Sequence, residues 1–347
     1  MTPISFRAKH FVTTPPPENP PPSIPVNVDW SAAFPAGVRY TPVPYRPSRK
    51  MLILACILFF LTLCTCLVAG TQFANAYAQN EAFSSDEFLR SFTLFYKNPL
   101  GLAAGLPFAL TLLTILLTHE LGHFFACRYH HIRSTYPFFV PFPNLTGTFG
   151  AFILIRSPIR TNRALFDVGA SGPLVGFVFA VPALVYGVLH AKLVPGLADP
   201  ANAELIYGTP LLLRLLEAVL HPGISHDALL LPPVGRAAWV GLLLTSLNLV
   251  PVAQLDGGHI LRSLNPRFHR YSSILMPAVF LLLGFLRFWD GWYFWGVLIL
   301  VMRFLRVPPI YDPTPLDSAR RWGALLALLV FLLSFMPAPI YISPSSH

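Results

Sequence analysis

Apolar residues along this chain come in long unbroken runs, separated by short clusters of Arg, Asp, Glu, Pro and Gly. Neither the strict alternation of a half-wetted strand nor the one-sided stripe of a soluble helix is present over these runs. A helix of ~20 apolar residues crosses the hydrocarbon core of a bilayer, so the runs read as membrane spans. They cover Met51 to about Thr71, Pro99 to Cys127, Ala164 to Val194, Val234 to Val250, Ser272 to Phe288, Trp292 to Leu305 and Trp322 to Ile342. One apolar stretch breaks the pattern. Tyr136 to Ile155 is aromatic and apolar, yet it is interrupted by Pro137, Pro141, Pro143, Gly147 and Gly150, which forbid a regular spanning helix. A re-entrant hairpin lining a cavity is predicted there, with Gly147 to Ile155 as a strand whose edge can pair with an extended peptide. The expected fold is an all-α polytopic membrane protein of about seven transmembrane helices carrying a re-entrant β-hairpin.

Composition agrees, since 54% of the 347 residues are hydrophobic and 11% charged. The net charge of +9 then bears on orientation more than on partners, because Lys and Arg gather in loops on the cytoplasmic side. No nucleic acid is expected; the lipid bilayer is. Arg49 and Lys50 precede the first span, Arg128, Arg133, Arg156, Arg160 and Arg163 follow the second, and Arg262, Arg267 and Arg270 follow the fourth. This places the N-terminus and the ends of the second and fourth spans in the cytoplasm, in a bacterial inner membrane. Residues 1–50 are proline-rich and read as a disordered tail, with no cleavable signal peptide. The organisation expected is that tail, a first span with its outer loop over 51–98, a core over 99–265 and C-terminal spans over 266–347. Cys56, Cys64, Cys66 and Cys127 all lie in apolar runs and read as small buried hydrophobes.

Chemistry concentrates at the cytoplasmic end of the second span, in Leu117-Thr118-His119-Glu120-Leu121-Gly122-His123. Residues four apart share a helix face, so His119 and His123 can reach one Zn²⁺. A catalytic zinc needs a third protein ligand and an open position. Asp256 is the choice, because a carboxylate at apolar depth persists when it is paired, solvated or metal-bound, and Gly257-Gly258 lets its backbone approach another element. His259 competes for that role but lies further toward the arginines. Glu120 sits beside the metal without being forced to bind it, which suits a general base that takes a proton from water and returns it to a leaving amine. Asp167 reads as an acid favoured at a helix N-terminus rather than a ligand. His221 and His226 are separated by Pro222-Gly223, so no second metal site is expected.

These residues resemble the site-2 protease family of intramembrane zinc metallopeptidases, peptidase family M50. His119-Glu120-Leu121-Gly122-His123 matches the family's H-E-x-x-H. Asn248, Pro251, Asp256 and Gly257 match its N-x-x-P-x-x-x-x-D-G. The resemblance covers about residues 100 to 265 and implies a three-helix catalytic core, one zinc held by His119, His123 and Asp256, and Glu120 as catalytic acid/base. It further implies Asn248 near the substrate or the oxyanion. The Gly147-to-Ile155 run is similar to the family's hairpin, thought to hold substrate extended, which makes Gly147 and Gly150 substrate-binding candidates. No insertion is long enough for a PDZ domain, and the chain looks like the compact branch with plant chloroplast and cyanobacterial relatives. The implied activity is a zinc metalloendopeptidase cutting transmembrane protein substrates in regulated intramembrane proteolysis. Two other classes are a silent membrane scaffold or chaperone, opposed by the intact ligand set, and a metal transporter, opposed by the lack of internal repeats or a polar track.

Overall fold

The computed structural model describes residues 48–82, 91–94, 97–197, 205–225, 228–303 and 313–342. The proline-rich tail, apart from its last three residues, and His226 lie outside them. Helix α1 (Arg49–Gln79) starts where the Ser48 hydroxyl accepts a hydrogen bond from the Met51 N–H at 3.3 Å, and ends at Asn80 in the left-handed conformation. It therefore runs past the expected end at Thr71, because Phe73 and Ala76 continue its buried face. A 3-10 turn (Pro99–Gly105) leads into α2 (Leu106–Tyr129), which carries the histidine pair.

The broken apolar stretch forms an antiparallel hairpin of β1 (Phe138–Pro141) and β2 (Thr148–Phe152), with Phe138 opposite Phe152 and Phe139 opposite Ala151. Helix α3 (Asn162–Leu189) follows, its first turn closed by the Thr161 hydroxyl accepting from Ala164 N–H at 3.1 Å. Next come β3 (Lys192–Leu193), β4 (Leu205–Tyr207), the short α4 (Leu211–Leu220), β5 (Leu229–Leu230) and α5 (Pro233–Asn248). Helices α6 (Asp256–Leu264), α7 (Pro266–Phe285), α8 (Gly291–Arg303) and α9 (Ser318–Ser334) complete the bundle before β6 (Ile340–Ile342).

Among the described residues, four helical stretches are long and apolar enough to cross a membrane: α1, the Pro99–Tyr129 unit, α3 and α7. Helices α5, α8 and α9, with 16, 13 and 17 residues, fall short of the ~20 that a perpendicular crossing needs. The last expected span ends early. Pro337 and Pro339 cannot continue a helix, so α9 stops at Ser334 and Ile340–Ile342 pairs antiparallel with β4 instead. A second small sheet joins β3 to β5. Both lie outside what the apolar runs foretold, since strands of two or three residues carry no periodic signal.

Phe73, Phe108, Leu112, Leu184, Trp239 and Leu242 bring α1, α2, α3 and α5 into one core, which continues through Phe280, Trp292 and Ile299 into α7 and α8. Cys66 and Cys127 are buried within the bundle, and all four cysteines are free thiols. Cys56 departs from the expectation: it is exposed on the outward face of α1 rather than packed against protein.

Candidate metal centre

Helix α2 places His119, Glu120 and His123 on one buried face, each at most 6% exposed, with one ligating atom from each within 4.8 Å of the others. The two imidazole rings stand 4.9 Å apart, inclined at 67°. His123 has a fixed orientation, because its Nδ1 lies 2.6 Å from the Val168 carbonyl of α3. Donating Nδ1–H to that carbonyl leaves the Nε2 lone pair facing the centre. Asp256, the first residue of α6, completes the group: its Oδ2 lies 3.3 Å from His119 Nε2 and 3.3 Å from His123 Nε2.

These separations fit a metal. Tetrahedral Zn²⁺ with bonds of ~2.0–2.2 Å holds its ligand atoms ~3.3–3.6 Å apart. Two imidazole nitrogens and one carboxylate oxygen are also a known catalytic donor set, with a fourth direction left for water or substrate. Glu120 stands beside this group, a carboxylate oxygen within 4.8 Å of the histidine ligand atoms, and the backbone N–H of Ile153, just after β2, faces its carboxylate. The hairpin and the glutamate thus share a wall. Asn248, the last residue of α5, brings its Nδ2 to 3.4 Å from His119 Nε2.

The backbone makes this convergence possible. A Cβ on Gly172 of α3 would collide with the His123 imidazole, and one on Gly176 would stand 3.1 Å from His119 Cβ. These two glycines, four apart on one face of α3, are thus the surface against which the histidines rest. Around Asp256, Gly257 packs on the Leu249 carbonyl and Gly258 on those of Val252 and Ala253, so the loop 249–255 folds directly over the start of α6. Ala253 adopts φ 51° in that loop. Helix α7 holds it there: Ser273 Oγ accepts from Ala253 N–H at 3.0 Å, Ser272 Oγ donates to the Pro251 carbonyl, and His269 Nε2 lies 3.0 Å from the Ala253 carbonyl.

The remaining sequence candidates fall in different places. His259 lies one turn beyond Asp256, with its Cβ against Gly169 of α3. Gly147, at φ 76°, rests on α1, where its carbonyl accepts from the Thr65 hydroxyl at 2.5 Å. Gly150, at φ 109°, has open space where a side chain would be. His221 is used structurally, with its Nε2 2.8 Å from the Val188 carbonyl. Asp167 is more than a helix-end acid. Its carboxylate takes His130 Nε2 at 2.7 Å and two hydrogen bonds from the Arg320 guanidinium of α9, at 2.8 and 2.6 Å. No local pattern links residues 130, 167 and 320, so only the fold reveals that cluster.

A bundle of apolar helices with an H-E-x-x-H pair buried against an aspartate from a second helix end defines a membrane-embedded metal-site protein. The chain belongs to peptidase family M50, whose description matches residues 107–286. Its similarity extends to the probable zinc metalloprotease EGY1, chloroplastic, of Oryza sativa subsp. japonica, 30% identical over 241 residues, which cover 67% of this chain and 41% of that protein. The Arabidopsis thaliana protein of the same name is 30% identical over 243 residues, 67% of this chain and 43% of that one. The probable zinc metalloprotease EGY2, chloroplastic, of Arabidopsis thaliana is 30% identical over 239 residues, 68% and 42% of the two chains. The aligned part spans less than half the length of each relative. No solved structure matches the chain.

Proposed function

We propose that the protein is a zinc metalloendopeptidase that hydrolyses peptide bonds in or near the membrane-spanning segments of other proteins. The observation that carries this reading is the meeting of His119, His123 and the Asp256 carboxylate beside a buried Glu120, inside a bundle of apolar helices. His119, His123 and Asp256 would hold the metal. Bound there, zinc supplies a Lewis acid that polarises a carbonyl and makes water acidic enough to attack it.

The residues of the chain do the rest. Glu120 takes the proton of the attacking water as the new C–O bond forms, and delivers it to the amide nitrogen as the C–N bond breaks. The Asn248 amide donates a hydrogen bond toward the carbonyl oxygen of the scissile bond. A spanning helix hides its amides, so a substrate must unwind before it can be cut. The edge of the β1–β2 hairpin, opening beside Gly150 and adjoining Glu120 through Ile153, offers the hydrogen-bonding partner that holds an extended strand.

In the same reading the hairpin re-enters the membrane, and α5, α8 and α9 join the four long helices to make seven spans, with the metal centre toward the side where Arg262, Arg267 and Arg270 lie. The plant relatives are named as chloroplastic, which lends no support to the bacterial inner membrane expected from the chain, so the proposal is confined to an integral membrane location.

The test is cleavage of a co-expressed membrane protein substrate. Glu120→Gln should abolish cleavage while zinc content stays at one per chain, and Asp256→Ala should lower both. Full cleavage by Glu120→Gln would remove Glu120 from the chemistry and favour a different use of the site; unchanged zinc in Asp256→Ala would take that residue out of the ligand set.

A further inference from the structure

A second polar site lies in the same bundle, away from the metal centre. Arg236 occupies the first turn of α5, and Asn248 the last, so the two stand ~18 Å apart along one helix at ~1.5 Å per residue. Arg236, only 9% exposed, lines a cavity of about 90 Å³ together with Gln72 of α1, Tyr207 of β4 and Trp239 of α5. Its guanidinium lies 4.0 Å from the centre of the Tyr207 ring and 5.9 Å from those of Phe73 and Trp239. Stacking occupies the faces of the guanidinium and leaves its in-plane N–H donors for a planar acceptor. Among the described residues no carboxylate stands within ion-pair distance of it. Glu217 and Glu81 also line the cavity, Glu81 exposed at the rim; Glu217 is buried and near enough for its charge to act on Arg236, and though it is engaged elsewhere, its Oε2 has no hydrogen-bond partner among the described residues.

Gln72 is the more telling residue. It is fully buried, and among the described residues neither its Oε1 nor its Nε2 has a hydrogen-bond partner; the Tyr207 hydroxyl has none there either. Burying an amide without a partner is unfavourable at both of its ends, and a membrane helix gains nothing from it locally. A ligand that satisfies these groups needs a planar anion for Arg236 and Gln72 Nε2, and beside it an N–H or O–H donor turned toward Gln72 Oε1 and Glu217 Oε2, which keeps the two carboxylates apart. The geometry points to a binding site for a small carboxylate with an adjacent hydrogen-bond donor, an acylated amino acid or a hydroxy acid in chemical class, taken up at the end of the bundle remote from the metal. The same chemistry is presented by the C-terminal residue of a peptide, whose last amide N–H adjoins its carboxylate.

The probe is N-acetylglycine, titrated into the purified full-length protein in detergent and followed by thermal stability and by the fluorescence of Trp239, with neutral N-acetylglycinamide as control. Saturable stabilisation in the millimolar range is expected, with binding weakened ~10-fold or more in the control and in both Gln72→Leu and Arg236→Met. Gln72→Leu alone should raise the melting temperature of the ligand-free protein, because it removes two unmatched buried atoms; a purely structural glutamine would give a fall. Should Arg236→Met fail to fold, Arg236→Lys keeps the charge, loses the planar fork and serves the same comparison. Displacement of the probe by a glycine-terminated hexapeptide would identify a chain terminus as the source of the carboxylate, and failure to displace it a free small acid. The proposal is overturned by the absence of any saturable response, which leaves a water-filled cavity, by equal binding of the neutral amide, or by unchanged binding in both variants.

Discussion

Gly172 has no room for a methyl group. The added Cβ would enter the space of the His123 ring, which is pinned from the other side by the Val168 carbonyl. Neither neighbour can yield, so Gly172→Ala should cost ~1–3 kcal/mol of overpacking, or displace His123 and release the metal. Zinc content of the purified variant distinguishes the two, and the expected result is loss of zinc with loss of cleavage. Gly150→Ala meets nothing within 4 Å, but φ 109° strains any L side chain there, so it should weaken the hairpin by ~1–3 kcal/mol while leaving zinc content unchanged. At this level much was readable in advance. The H-E-x-x-H spacing follows from helix geometry alone, and Asp256 stood out as a carboxylate between apolar residues and two glycines. Val168, Ser272 and Ser273 were not readable, because a backbone carbonyl and two hydroxyls acquire their roles only when distant segments meet.

Helix α9 is tied to the metal-bearing pair of helices by a compact charge cluster. Arg320 donates two hydrogen bonds to Asp167 on α3, which also meets His130 at the end of α2, and a third hydrogen bond joins Arg320 to Asp317. Arg320→Ala should destabilise the protein by about 1–3 kcal/mol, the scale of charge-assisted hydrogen bonds in a partly buried setting, seen as a lower melting temperature. Asp317 gives the cluster a pH dependence. The Arg320 backbone N–H, with the guanidinium behind it, holds the Asp317 carboxyl below the usual carboxylate range. A group whose pKa is lowered by folding contributes its stability above the unfolded value and loses it as pH falls through the lowered one. Melting temperatures of the native protein should therefore drop on acidification below about pH 4, and Asp317→Asn should flatten that limb. The helices themselves were legible in the sequence because apolar length is a strong signal. Their ends were less so, as α1 shows by continuing to Gln79.

The bundle closes at its non-metal end with elements that no apolar run foretold. β6 pairs with β4, Gly208 N–H donates to the Pro339 carbonyl at 2.7 Å, and Trp292 Nε1 donates to the Pro337 carbonyl at 2.7 Å. Ending the chain after Met336 should strip these bonds together, lowering thermal stability while leaving zinc content intact; a loss of zinc would show that the closure reaches the metal centre. The same end holds Gln72, Tyr207 and Arg236, contributed by α1, β4 and α5, which explains why their meeting could not be read from any single stretch.

The contact of Thr65 and Cys66 with the hairpin has a wider consequence. The Thr65 hydroxyl holds the Gly147 carbonyl and the Cys66 thiol reaches that of Thr146, yet both residues belong to a helix outside the family-matched stretch 107–286. The inherited unit is thus smaller than the cooperative one. Excised on its own, the matched stretch would lose the surface that supports its hairpin, and the strand beside Glu120 would be the first part to melt.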